Sequence, residues 1–151
     1  MIEAAVGLGV ILSLIFMELL GASAGGIVVP GYIAMYLHIP SQILGTFIVS
    51  LITLFIIKLI SKFTLLYGRR RMVMSILIGF ILGWASRYLS IFGYSIFELN
   101  MNSIGYIIPG LIANWMEKQG IIRTISMTFI AAVIVRLIII IATNGEVSFN
   151  V

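Results

Sequence analysis

The segment Gly105–Asn114 reads GYIIPGLIAN and lies within a long run of apolar residues. The segment Gly26–Met35 reads GIVVPGYIAM and carries the same Pro-Gly pair at the same place, 79 positions earlier. Proline lacks a backbone N–H and clashes with the preceding helical turn, while glycine adds backbone freedom. Both segments are therefore predicted to interrupt a helix, and their similarity indicates an internal repeat.

The composition around these segments is that of an integral membrane protein. The chain has 151 residues, of which 62% are hydrophobic and 9% charged, with a mean hydropathy of +1.23. Soluble domains carry about 25% charged residues. The sequence contains no Cys and no Asp, and it has one His and no P-loop pattern. We expect one all-α polytopic membrane domain over residues 1–151 that binds no metal, cofactor or nucleic acid and has no ligase or hydrolase site of its own.

Four long apolar segments are each close to the ~20 residues that cross a bilayer. They are Ala4–Leu20, Ile43–Ile60, Met72–Ser86 and Thr124–Ala142. Two shorter apolar segments, Gly25–Leu37 and Ser103–Met116, hold the Pro-Gly pairs. The chain is thus predicted to consist of two repeats of span, Pro-Gly-broken short segment and span, over about 1–62 and about 72–142.

Two topologies are compatible with this order. The connection KLISKFTLLYGRRR, residues 58–71, is rich in Lys and Arg and is predicted to be cytoplasmic. If the short segments cross, each repeat has three crossings, the repeats are inverted, and Lys118 and Arg123 are cytoplasmic too. If the short segments are re-entrant, four spans remain and these two cations lie outside. We prefer the inverted three-plus-three arrangement because it keeps the cations on one side.

Candidate functional residues follow from the breaks and from two buried cations. Paired broken segments in two repeats indicate a central transport site, although they are also compatible with packing alone. The break residues are Gly26, Pro30, Gly31, Gly105, Pro109 and Gly110. Arg87 and Arg136 fall inside apolar segments, about 24 Å beyond Arg71 and about 20 Å beyond Arg123 along a helix. Each is interpreted either as lining an anion path or as reaching the outer interface.

Three stretches carry a resemblance to a known family. GIVVPGY, LLYGRRR and IGYIIPGLIANWMEKQG resemble the PgsC/CapC family, the small membrane subunits of bacterial poly-γ-glutamate synthesis. The resemblance covers nearly the whole chain in order, length and hydropathy, and the third stretch is the most specific. The residues that match the family motifs are Pro30, Gly31, Tyr32, Tyr67, Gly68, Arg69, Arg70, Pro109, Gly110, Leu111, Ile112, Ala113, Asn114, Lys118, Gln119 and Gly120.

The resemblance implies a role in the bacterial cytoplasmic membrane. A cytoplasmic Mur-ligase-like subunit would join glutamates with ATP and Mg²⁺, and an extracytoplasmic membrane-anchored subunit would assist. This chain would be non-catalytic, anchoring the ligase and helping export of the polymer. The expected polymer path comprises Gly26, Pro30, Gly31, Tyr32, Arg87, Gly105, Pro109, Gly110, Asn114 and Arg136. The expected docking residues are Tyr67, Arg69, Arg70, Arg71, Lys118 and Gln119.

The physical chemistry of the polymer agrees with that role. Poly-γ-glutamate carries about one negative charge per residue, and moving such charges unpaired through hydrocarbon is prohibitive. Cations at membrane depth would lower that barrier, either within one chain or between copies of it. The pattern GFILG at Gly79–Gly83 allows close helix approach in a homo-oligomer or within the monomer. The alternative function is a stand-alone inverted-repeat anion transporter or channel.

Overall fold

A computed structural model describes residues 2–91 and 105–145. The described residues form helices and contain no strand, which confirms the all-α expectation. The helices are α1 (Ile2–Leu20), α2 (Val29–Tyr36), α3 (Pro40–Phe63), α4 (Arg69–Ile91), α5 (Ile108–Gln119) and α6 (Ile121–Ala142). The first two residues of the second short segment, 103 and 104, lie outside the described residues.

Three of these helices are long and apolar enough to cross a membrane. Within the described ranges they are Glu3–Leu20, Pro40–Phe63 and Ile121–Ala142. The fourth expected segment lies in α4, which has 23 residues and begins with three arginines. Large apolar side chains such as Leu19, Phe55 and Ile141 are exposed on the outer surface. Such a surface is suited to contact with lipid rather than with water.

Both Pro-Gly pairs stand at the start of a helix. Pro30 lies in the first turn of α2 and Pro109 in the first turn of α5. The missing N–H costs nothing there, because the first N–H groups of a helix have no intrahelical partner. Residues 21–28 before α2 are not helical. The chain is therefore broken ahead of each proline rather than kinked around it.

The non-helical segment and α2 together run back along α1. The Ser13 hydroxyl donates a hydrogen bond of 3.2 Å to the carbonyl oxygen of Gly26. Further along, Gly31 packs against the backbone of Ala5 and Val6, and Gly9 packs against Gly31. Because later residues of the returning segment meet earlier residues of α1, the two run antiparallel. The helix α2 has 8 residues, or about 12 Å, and thus completes only the second half of this return.

The same packing recurs between α4 and α5. Gly110 packs against the backbone of Ser75 and Ile76, and Gly79 packs against Gly110. Toward the end of α5, Glu117 pairs with Arg71 in the first turn of α4. The end of α5 therefore lies level with the start of α4. The helix α5 returns along α4 as α2 returns along α1.

The two halves of the chain are joined crosswise. The helix α2 packs on α1 and α6, and α5 packs on α4 and α3. The core between them is apolar and includes Ile33, Ile112 and Val135. Buried Thr and Ser residues of α3 and α6, among them Ser50 and Thr128, donate to the carbonyl four residues earlier. These hydroxyls are thus satisfied within their own helices.

Candidate functional site

Several helix ends meet at one end of the bundle, which we call the basic end. It comprises the last residues of α1, α3 and α5 and the first residues of α4 and α6. Arg123 in α6 donates a hydrogen bond of 3.2 Å to the carbonyl oxygen of Leu20, the last residue of α1. Arg71 pairs with Glu117 between α4 and α5. Lys58 and Lys62, near the end of α3, lie toward this same end.

Gln119 links α5 to the end of α1. Its side-chain oxygen accepts a 2.9 Å hydrogen bond from the Ser23 N–H, and its amide nitrogen donates to the Ser23 carbonyl. The same nitrogen donates a 3.0 Å hydrogen bond to the Thr124 hydroxyl. The sequence predicted a docking role for Gln119. The structure uses its amide for internal contacts, so the side chain is held within the bundle.

The basic end contains a cavity of about 500 Å³, which we call the polar cavity. It is lined by Gly68, Arg69, Arg71, Met72, Asn114, Glu117 and Lys118. Asn114 was assigned to the polymer path and the three cations to docking, so the cavity joins two predicted groups. The ammonium of Lys118 lies 5.0 Å from the centre of the Trp115 ring, a cation–π contact. Tyr67 and Arg70 are exposed and do not line the cavity.

A second cavity, of about 350 Å³, lies between the two Pro-Gly segments and is mainly apolar. It brings Tyr32 and Gly105 together and is also lined by Phe80 and Tyr106. Arg87 donates a 3.2 Å hydrogen bond to the Tyr106 hydroxyl, and its guanidinium carbon lies 4.6 Å from the centre of that ring. The buried cation of α4 thus lies behind the wall of this cavity.

The remaining break residues are buried packing residues. Pro30, Gly31, Pro109 and Gly110 are buried, and the two glycines pack against the backbones of α1 and α4. Gly26 has a φ of 136° and Gly105 a φ of 65°, which glycine adopts far more readily than other residues. Within the two described ranges, no three His, Cys, Asp or Glu side chains are grouped as a metal site.

Comparison with known proteins shows a family. The model of the family "Capsule biosynthesis CapC" matches residues 8–125. This chain belongs to the CapC family. It is 43% identical over 125 residues to the "PGA biosynthesis protein CapC" of Bacillus subtilis (strain 168), covering 82% of this chain and 83% of that protein. It is 39% identical over 125 residues to the "Capsule biosynthesis protein CapC" of Bacillus anthracis, with the same coverage. No solved structure matches the chain.

The CapC match covers the basic end but not every candidate residue. Residues 8–125 include all the residues that line the polar cavity. Arg136 lies beyond the match, on the far half of α6. There it lines a separate groove of about 320 Å³ with Leu37 and Val133. Its Nη1 atom is buried and has no hydrogen-bond partner among the described residues.

Three residues that shape these sites were not singled out from the sequence. Glu117 pairs with Arg71, Tyr106 holds Arg87, and Ser23 holds Gln119. Glu117 was visible as one of the few acids in the chain. Its partner lies 46 residues away, and no helical spacing connects them. Only the return of α5 along α4 brings the pair together.

Proposed function

We propose that this chain is the membrane subunit of a bacterial poly-γ-glutamate synthase complex. In this role it anchors a cytoplasmic, ATP-dependent Mur-ligase-like subunit and helps to export the polymer. The observation that carries the proposal is the 43% identity to a protein named for PGA biosynthesis, over most of both chains. The chain itself is non-catalytic in this proposal, and ATP and Mg²⁺ are bound by the ligase.

The proposed topology is the inverted three-plus-three arrangement in the inner membrane. The contacts of Gly26 with Ser13 and of Gly31 with Gly9 support a full return along α1. The Arg71–Glu117 pair supports the equivalent return of α5 along α4. A re-entrant segment would instead leave the membrane on the side where it entered, which separates Glu117 from Arg71.

The basic end faces the cytoplasm in this topology. Lys and Arg are retained on the cytoplasmic side of membrane proteins, and the cations of α3, α4, α5 and α6 meet at this end. The exposed side chains of Tyr67 and Arg70 provide the proposed ligase contact. The opposite end, with the turn between α2 and α3, faces the extracytoplasmic subunit.

Export of the polymer requires cations at depth. Arg136 provides a half-buried guanidinium whose Nη1 is buried without a partner in the described structure, and Arg87 provides a second, held by Tyr106. A carboxylate at either position would gain a charge-assisted hydrogen bond. That bond offsets part of the free energy that the carboxylate loses when it leaves water. The exposed apolar surface also allows copies of the chain to associate, so the path lies in one copy or between two.

Copurification tests the proposal. The chain carries an affinity tag and is produced with a Mur-ligase-like protein from the same organism, then extracted in mild detergent. We expect the ligase to copurify and the cells to make poly-γ-glutamate only when both proteins are present. Normal polymer synthesis without the chain, and no copurification, would reject the proposal. Anion flux through liposomes that contain the chain alone would instead identify a stand-alone transporter.

The docking surface has a sharper test. The double change of Tyr67→Ala and Arg70→Gln removes an exposed aromatic ring and an exposed charge without touching the polar cavity. We expect ligase recovery in the membrane fraction to fall several-fold. Lys62→Gln is the matched control, because Lys62 is an exposed cation at the same end. Equal ligase recovery for the double variant and the control would exclude this surface as the contact.

A further inference from the structure

The polar cavity is lined by the amide side chain of Asn114. Asn114 is only 3% exposed, yet its side chain lines the cavity, and no hydrogen bond to it occurs within the described residues. Other buried polar side chains, such as Thr124 and Thr128, are satisfied by their own helix. The Asn114 amide therefore offers a donor and an acceptor at the wall of the cavity. A ligand in the cavity could use both, which is a reason to place one there.

The charges around Asn114 favour an anion. Three cations, Arg69, Arg71 and Lys118, line the cavity with one carboxylate, that of Glu117. Arg71 is already paired with Glu117, and its Nε atom is buried without a hydrogen-bond partner in the described structure. The guanidinium therefore has donor capacity left over. A ligand that carries a carboxylate would meet Arg69 and Lys118, which have no acidic partner among the described residues, and Arg71, which is shared with Glu117.

The hydrogen-bonding groups of the cavity also indicate which chemical group lies beside the carboxylate in the ligand. The Asn114 amide can both donate and accept, and Glu117 can only accept when it is ionised. Inorganic phosphate offers mainly acceptors, and it has neither an amide N–H for the Asn114 oxygen nor an apolar part. A γ-linked glutamate unit offers a carboxylate beside an amide N–H, and its methylene groups can lie on Met72. This pattern of groups matches the lining of the cavity.

We propose that the polar cavity binds a carboxylate-bearing γ-glutamyl segment at the basic end. Arg69, Lys118 and the Asn114 amide nitrogen contact the ligand carboxylate, while the Asn114 oxygen accepts from the ligand amide. When the ligand binds, Arg71 moves away from Glu117 and toward the ligand carboxylate. Glu117 holds Arg71 in place when the cavity is empty. The identity of the polymer rests on the proposed function, but the cavity and its binding chemistry are tested separately.

The test uses the full chain in nanodiscs of zwitterionic lipid. The probe is γ-linked tetraglutamate, measured by isothermal titration calorimetry. The comparison ligands are inorganic phosphate and γ-linked tetra-isoglutamine, in which the free α-carboxylates are replaced by carboxamides. We expect tetraglutamate to bind, tetra-isoglutamine to bind at least tenfold more weakly, and phosphate not to compete at equal concentration. Arg69→Gln, Lys118→Gln and Asn114→Leu should each weaken tetraglutamate binding about tenfold. Lys62→Gln removes a cation from the same end outside the cavity and should leave the affinity unchanged.

Glu117→Gln separates a binding role from a structural one. It removes the anion that competes for Arg71, so tetraglutamate affinity should rise several-fold and the salt dependence of binding should steepen. A purely structural pair would instead give a lower melting temperature with unchanged affinity. That result, or equal binding of tetra-isoglutamine, or wild-type affinity in the Arg69, Lys118 and Asn114 variants with normal melting, would overturn the proposal.

Failure of the site and failure of the proposed function are distinguishable. If the ligase copurifies and polymer is made while tetraglutamate does not bind, the cavity proposal is wrong and the proposed function stands. If phosphate binds as well as tetraglutamate, the cavity is a general anion or lipid-headgroup site, and the proposal is also wrong. If Arg69→Gln lowers ligase recovery without changing tetraglutamate affinity, the cavity belongs to the ligase contact instead.

Discussion

The backbones of Gly79 and Gly110 touch where α4 and α5 cross. A Cβ atom built on Gly79 would lie 2.5 Å from both the nitrogen and the Cα of Gly110. Gly9 and Gly31 make the equivalent contact between α1 and α2, at 2.5 and 2.6 Å. In the small-residue pattern Gly79–Gly83, Gly79 therefore allows close packing of two helices of the same chain. At both crossings any side chain would push two helices apart.

Alanine at these crossings should destabilise the bundle. Gly9→Ala and Gly79→Ala each force backbone movement, and we expect each to lower the free energy of unfolding by about 1–3 kcal/mol. Gly7→Ala is the control on the same helix as Gly9, because nothing lies within 4 Å of its added Cβ. That change should be neutral or stabilising by up to about 1 kcal/mol. Unfolding by SDS in mixed micelles measures all three, and wild-type stability of Gly9→Ala and Gly79→Ala would contradict the close-packed crossings.

Gln119 should matter for stability rather than for docking. Gln119→Leu keeps the volume but leaves the N–H and carbonyl of Ser23 without their partner. We expect a loss of about 2–4 kcal/mol in unfolding free energy, since each unsatisfied buried group costs about 1–3 kcal/mol. Gln42→Leu is the control, because the Gln42 side chain makes no hydrogen bond within the described structure. A stable Gln119→Leu variant with reduced ligase recovery would favour the docking role instead.

The topology can be determined by labelling single introduced cysteines, because the chain has no cysteine of its own. In the inverted arrangement, cysteines at His38 and Asn144 should react with an impermeant thiol reagent added outside. Cysteines at Thr64 and at Ile122, which is 82% exposed, should react only after permeabilisation. Labelling of Ile122→Cys from outside would support the four-span arrangement with re-entrant Pro-Gly segments.

Substitutions of Arg136 distinguish a role in the polymer path from a purely scaffolding role of the chain. If it contacts the polymer, Arg136→Leu should leave the complex assembled and lower extracellular poly-γ-glutamate about tenfold or more, since a charge-assisted contact is lost. Arg136→Lys should restore part of the output, because lysine keeps the charge without the planar fork. The measurement is polymer released per unit of purified complex. Wild-type output from the Leu variant would show that Arg136 only reaches the interface.

The sequence predicted the local features of the fold and missed the distant ones. The apolar segments and the breaks at Pro30 and Pro109 were predictable, because helix length and the missing N–H of proline are local properties. The pairing of Arg71 with Glu117 was not, because it depends on how far α5 returns along α4. For the same reason the sequence placed Asn114 and Lys118 in different groups, whereas both line the polar cavity. The inverted arrangement and the roles of these residues remain predictions.

The crosswise packing of α2 on α6 has a consequence for how the chain is made. The ribosome synthesises α1, α2 and α3 first, whereas α6 is the last of the described helices to be made. Until then α2 lacks one of its main partners, and α5 likewise joins helices from both halves. Neither half can complete its packing when it is first synthesised, so assembly requires α6. A chain that ends after α4 should therefore be recognised by quality control and degraded, and coexpression of the missing part should rescue it.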